Sequence, residues 1–448
     1  MHQQLHYPDL AARVHSQAEL QPELYGEVDF TGQPYRLAVG RDDVASLPRW
    51  VGDRGAILED DRVVELISTA TMLGDVVADP YATLMAERPF KDLIDMLKQA
   101  CREGVESVPD APPELAAFIA AMEATPEWLD MDLVEAGARR ARVPAAFLAP
   151  FVTRGAFVAT FMNQYAALPM ALTGALGGRR AAKRVNETSS FFAVTALPGA
   201  LGRHGPGFEA AAMVRLMHSM VRYNALKRSD RWDLDVYGIP VPQVDQMPAG
   251  LLEIYLLAAN IRRKGRSQFT DSERALVEFG RYRCFLLGLP EELLPADPDA
   301  ILHVLNARAA LLRGGFDEET CGELVRATMS AYLRADDTPF DRAAEAVEKS
   351  YSKAFFIRAF AGGKRETARE MGVQFGLGDV VRIGVTAPFV IGRMVTVTAA
   401  SRIPGLRAVT DSYAIRVLKH RLATYGKPEF ATDAETYTPV VQPAAAAA

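Results

Sequence analysis

His218 stands in the segment VRLMHSMVRYNAL, an apolar stretch of helical character, with Arg215 and Arg222 about one turn to either side. An imidazole rooted in apolar packing can ligate a haem iron, and guanidinium groups nearby can pair with the two propionates. The same pattern also suits a core or boundary histidine whose ring is satisfied by a neighbour, and spacing leaves both readings open. A second group lies upstream. Arg184, Glu187 and Thr188 share one helix face at i, i+3 and i+4, so a cation, a carboxylate and a hydroxyl surround one small volume. Those parts can polarise a bound oxygen species and handle a proton. They equally make an intrahelical salt bridge beside a back-bonded threonine.

The elements that must position these groups read as helices. Apolar positions recur at helical spacing in DRVVELISTATMLGDVVAD, from Asp61, and in LIDMLKQA and PELAAFIAAMEA. TPEWLDMDLVEAGARRAR opens with Thr125 and Asp130 as candidate caps. GRRAAKRVNETSSFFAVTAL carries Arg184, Glu187 and Thr188, and after the glycine-rich connector GRHGPGF about five turns carry His218. YGIPVPQVDQMPAG, at 237–250, reads as a proline-rich crossing segment unsuited to a helix interior. Five further periodic segments follow, up to about residue 363. YGEVDFTGQPYRLAV, at 25–39, has the turn signals of a short hairpin. The expected architecture is all-α, a large helical bundle. Residues 1–55 form an N-terminal extension, 56–365 the helical body, 366–435 a C-terminal helical extension and 436–448 a flexible tail.

With 49% apolar and 24% charged residues, the 448-residue chain has the balance of a folded globular protein. A net charge of -6 and a pI of about 5.8 argue against a general nucleic-acid binder. No G-x-G-x-x-G after a strand, Walker loop or H-E-x-x-H is present. Cys101, Cys284 and Cys321 are too scattered for a disulfide framework or a zinc cluster, and no C-x-x-C-H exists to attach haem covalently. Among the seven histidines, His204 reads as a loop residue, His303 and His420 as structural or surface residues, and no spacing gathers them around a metal. The polar N-terminus lacks the apolar core of a secretion signal, so the default expectation is cytoplasmic. Residues 141–175 are interrupted by Arg154, Asn163 and Gln164, and residues 381–400 by Arg382, Pro388 and Arg393. Both are expected to be buried helices rather than membrane spans. Peripheral membrane contact remains open for the second.

The pairing of R-x-x-E-T at 184–188 with V-R-x-x-H-x-x-x-R at 214–222, followed by W-D-x-D-x-Y-G-I-P-V-P-Q at 232–243, resembles the MpaB/latex-clearing-protein oxygenase family. GDVVADP at 74–80 and PEWLD at 126–130 add to the resemblance, which covers roughly residues 45–360. The resemblance implies a mainly helical fold with a globin-like core that binds haem b non-covalently. It assigns the proximal iron ligand to His218 and haem-holding roles to Arg215 and Arg222. Arg184 and Thr188 fall where the latex-clearing proteins place their distal arginine and threonine. Glu187 stands where those rubber oxygenases have a lysine, and Leu168 where they have a general-base glutamate. Rubber cleavage itself is therefore not implied.

The leading expectation is a haem b-dependent oxygenase, peroxygenase or other oxidoreductase. It would take dioxygen or peroxide, an electron donor where one is needed, and a small apolar or amphipathic organic substrate. A non-catalytic haem carrier or sensor, and a cofactor-free helical interaction protein, are the alternatives.

Overall fold

The computed structural model describes residues 5–48, 51–174 and 178–424. The fold is all-α: among these residues helices succeed one another from Pro8–Leu20 to Pro404–Thr424, with no strand. The expected flexible tail at 436–448 lies outside the described residues.

The His218 helix, Pro206–Arg228, runs through the middle. Pro206 opens it, where a missing N–H costs nothing, and Lys227 and Arg228 place positive charge at its negative end. Its buried residues extend around the whole helix, apolar at Phe208, Leu216 and Met220, and polar at Arg215, Ser219 and Arg222. A helix buried on all sides must be enclosed by others. Gly178–Thr195, Ala78–Thr83 and Phe90–Glu103 pack against it. Leu216 and Met220 are fully buried, so truncating either to alanine would cost about 2–5 kcal/mol.

Outside this centre, Met131–Phe147 packs along Asp271–Leu286. Their approach is close enough that a Cβ on Gly137 would sit 2.0 Å from the Ala275 carbonyl oxygen. Asp130 caps the first of these helices, accepting from the Asp132 and Leu133 N–H groups at 3.0 Å, as its sequence position suggests. The N-terminal region does not stand apart, since Leu10, Val14, Leu24 and Tyr25 belong to the main core cluster.

Three expectations need correction. The segment at 25–39 forms no hairpin. Its backbone pairs instead with a distant partner, through the isolated bridge Leu37–Leu312, and the Ala38 N–H reaches the Leu311 carbonyl at 2.8 Å. The proline-rich crossing is shorter than expected, because a helix resumes at Gln243–Gly250 with Pro248 inside it. The second apolar stretch is not buried. It belongs to the Leu377–Ala400 helix, which is long and apolar enough to cross a membrane, and only 6% of its most apolar window is covered by the rest of the chain. Its buried contacts are few: Asp379 is tied to Ser350 and Lys353, and Val397 packs near Phe147, Ala414 and Leu418.

Candidate functional site

His218, Arg184, Glu187 and Thr188 line one cavity of about 300 Å³ between the His218 helix and the Gly178–Thr195 helix. Its remaining walls are largely apolar, with Phe157, Phe161, Met170, Phe191, Phe192 and Val214 among them. A larger cavity of about 1030 Å³ shares Phe157, Thr188, Phe192, Pro248 and Arg308 with it. Together they provide a mostly apolar space with few polar groups, as a hydrophobic ligand requires.

The tautomer of His218 follows from a chain of hydrogen bonds. The Gly74 carbonyl can only accept, so the Gln243 amide donates to it at 2.9 Å. Gln243 Oε1 then accepts from Gln246 Nε2 at 2.6 Å, and Gln246 Oε1 is left to accept from His218 Nδ1 at 3.1 Å. With the proton on Nδ1, Nε2 carries the lone pair. Burial, reinforced by the Arg222 charge, pushes the His218 pKa down to about 4. The ring is therefore neutral at ordinary pH, as a metal-ligating imidazole must be.

The two glutamines are held by the W-D-x-D-x-Y-G-I-P-V-P-Q segment. Trp232 Nε1 donates to the Gly238 carbonyl at 2.8 Å, and Asp233 caps the short helix Leu234–Tyr237. Val241 has φ +46°, a left-handed conformation that costs a β-branched residue energy. Arg222 holds it there, donating to the carbonyls of Pro240 at 3.0 Å and Val241 at 2.8 Å.

Arg215 and Arg222 are absent from the cavity wall. Arg215 makes a two-pronged pair with Asp75, at 2.5 and 2.8 Å, and Arg222 pairs with Asp79 where both side chains are fully buried. Asp79 also accepts from Tyr25 Oη at 2.5 Å and from the Asp75 N–H at 2.9 Å. The expected propionate contacts find no support in this placement. The geometry instead gives both arginines a bracing role, and it explains GDVVADP. Asp75 and Asp79 are the carboxylates that fix the His218 helix, while a Cβ on Gly74 would meet the Tyr25 hydroxyl at 2.1 Å. Burial alone would raise the Asp75 pKa, but the facing Arg215 outweighs it and holds the carboxyl below its usual value. Burial raises Asp79 despite Arg222, whereas Arg222 is held up by Asp79 against its own burial. Three donors converge on Asp79, so the ionised pair is the better description.

On the other wall, Arg184 Nη1 meets Glu187 Oε2 at 3.1 Å, and Lys183 Nζ lies 3.9 Å from Glu187 Oε1. Leu168 lies in a core cluster and does not line this cavity. Arg308 borders both cavities and carries no sequence motif that marks it. It shares Asp245 with the buried Arg36, giving two guanidiniums to one carboxylate, and its buried Nε has no hydrogen-bond partner. Among the described residues no group of three or more His, Cys, Asp or Glu side chains is arranged around a metal.

Residues 141–371 match the family described as ER-bound oxygenase mpaB/B'/Rubber oxygenase, catalytic domain. The chain belongs to this family. The match includes His218, Arg184, Glu187, Thr188, both glutamines and Arg308, whereas Asp75 and Asp79 precede it. A solved structure, that of latex clearing protein LCP in the closed state, is similar with a TM-score of 0.53 and 17% identity, covering 79% of this chain and 91% of that one. At this identity the likeness is one of fold. No curated protein matches the sequence.

A pH dependence follows from the neutral histidine. The unfolded chain binds a proton on this imidazole below about pH 6.5, while the folded chain resists it until about 4. Stability is therefore lost as pH falls through that window, by at most about 3 kcal/mol from this group. Urea unfolding of cofactor-free protein should show wild type losing more stability than His218→Ala between pH 6.5 and 4. Parallel pH profiles would contradict the burial of a neutral ring.

Proposed function

We propose that the chain is a haem-dependent oxygenase for an apolar or amphipathic organic substrate, with His218 as the protein ligand to iron. The observation that carries this reading is a neutral imidazole, fixed with its lone pair on Nε2, lining an apolar cavity that also holds Arg184, Glu187 and Thr188. Family membership supports oxygenase chemistry. The residues present fit a haem b. Nε2 would bind the iron, apolar side chains would cover the ring, and the unpartnered Nε of Arg308 offers a donor to a propionate carboxylate. When bound, the haem would supply the electron-transfer chemistry with dioxygen or peroxide that protein side chains lack.

The chain's own contribution is positioning and proton handling. Gln246 keeps the His218 proton on Nδ1, and Phe191, Phe192 and Met170 give the cavity an apolar wall. Arg184 holds the Glu187 carboxylate beside Thr188, where it can accept or return a proton at Oε2. The larger adjoining cavity has room for an extended apolar substrate.

Purified protein supplied with haem should show a Soret band. It should also turn over an apolar substrate with dioxygen and a reductant, or with peroxide. A Soret band without turnover under either oxidant would point to a carrier or sensor instead. Glu187→Gln keeps the side-chain volume but removes proton acceptance, so turnover per bound haem should fall about a hundredfold with occupancy retained. If occupancy collapses while turnover per haem is unchanged, Glu187 is structural.

A further inference from the structure

We infer that the helix pair Leu377–Ala400 and Pro404–Thr424 docks the protein on the surface of an anionic lipid bilayer. Two independent features converge there. The first is shape and polarity. In Leu377–Ala400, Leu377 is 81% exposed, Val381 58%, Val385 67% and Phe389 76%, an i, i+4 series on one side of the helix. At 100° per residue, Leu377, Val381 and Val395 point within about 20° of the direction opposite buried Asp379 and Val397. Arg382 and Arg393 lie about 120° and 140° from that direction, toward the packed side, with Arg382 paired to Asp379 and Arg393 over the Phe147 and Tyr413 rings. In the second helix Thr410, Ala414 and Leu418 are buried at i, i+4 spacing, while Leu406 and Val409, and Ile403 just before it, are exposed.

The second feature is charge. Residues 377–424 contain seven Lys and Arg against two Asp, a local excess of five positive charges in a chain whose net charge is -6. Both carboxylates are engaged inward: Asp379 with Lys353 and Ser350, Asp411 with Arg142. Arg402, Arg407, Arg416 and Lys419 are exposed. An apolar face bordered by cations is the pattern of a helix that lies in the headgroup region of an anionic bilayer. The inner side of Leu377–Ala400 packs on Pro339–Ala359 and Met131–Phe147, so one face is available to lipid, which favours lying on the bilayer over crossing it.

The test is flotation of the full-length protein with phosphatidylcholine vesicles, with and without phosphatidylserine. Wild type should float with the phosphatidylserine vesicles and lose most binding at high salt. Val385→Asp/Phe389→Asp should reduce the floated fraction at least tenfold. Arg402→Glu/Arg407→Glu should weaken binding by at least about fivefold for each charge removed. These are solvent-facing positions away from the cavity, so circular dichroism and haem content should match wild type in both variants. A failure here is thereby separable from a failure of the haem assignment. Absence of flotation with either vesicle, or unchanged flotation of the Val385→Asp/Phe389→Asp variant, overturns the proposal. So does a wild-type dimer that this variant converts to monomer without any vesicle binding, which would make the face an interface between copies.

Discussion

His218→Ala is expected to lower haem affinity by more than about a hundredfold, so that the purified variant loses its Soret band while its helix content is preserved. The size follows from what is removed. Changing a group that merely orients a metal ligand typically costs 10–100-fold in affinity, and here the ligand itself is lost. The side chain lines the cavity, and its loss leaves the Arg215–Asp75 and Arg222–Asp79 pairs intact. Free imidazole should partly restore the spectrum by occupying the space the ring vacates. Normal haem content in the variant would contradict ligation by His218.

Arg222→Met should produce the largest loss of stability, about 3–5 kcal/mol, because it leaves a fully buried carboxylate without its cation. Asp79 would keep the Tyr25 hydroxyl and the Asp75 N–H, but the Pro240 and Val241 carbonyls would each lose a donor. Val241, no longer held at φ +46°, should relax and shift Gln243 and Gln246, so haem retention should weaken as well. Arg222→Lys should rescue little, since one ammonium cannot replace a planar fork that serves a carboxylate and two carbonyls. Asp79→Asn/Arg222→Met should recover part of the loss, because neither partner is then a lone buried charge. Urea unfolding of the single and double variants measures this. An Arg222→Met protein within about 1 kcal/mol of wild type would refute the bracing role.

The helical body was legible because apolar periodicity survives tertiary context in long segments. The Asp130 cap and the long helices carrying Arg184 and His218 lie where their residue patterns place them. Arg184, Glu187 and Thr188 reach the His218 cavity together because their spacing is intrahelical and needs no tertiary information. The partners of Arg215 and Arg222 lie 140 and 143 residues away, and no local rule distinguishes them from a ligand's carboxylates. Gln243 and Gln246 carried a faint signal, three residues apart at the end of the W-D motif, but their order depends on the Gly74 carbonyl brought in from elsewhere. Arg308 had none, because its position depends on sharing Asp245 with Arg36. The Leu377–Ala400 helix was misread as buried because an apolar run reports what a helix can cover, not whether anything covers it.

The most direct measurement is resonance Raman spectroscopy of the reduced protein with haem bound, compared between wild type and Gln246→Leu. An iron–imidazole stretching band in wild type, absent in His218→Ala, is expected. In Gln246→Leu that band should move to lower frequency, because the Nδ1 proton loses its acceptor and the imidazole becomes a weaker donor. A haem-loaded wild type without an iron–imidazole band, or one whose band persists in His218→Ala, would contradict the assignment of His218 as the iron ligand.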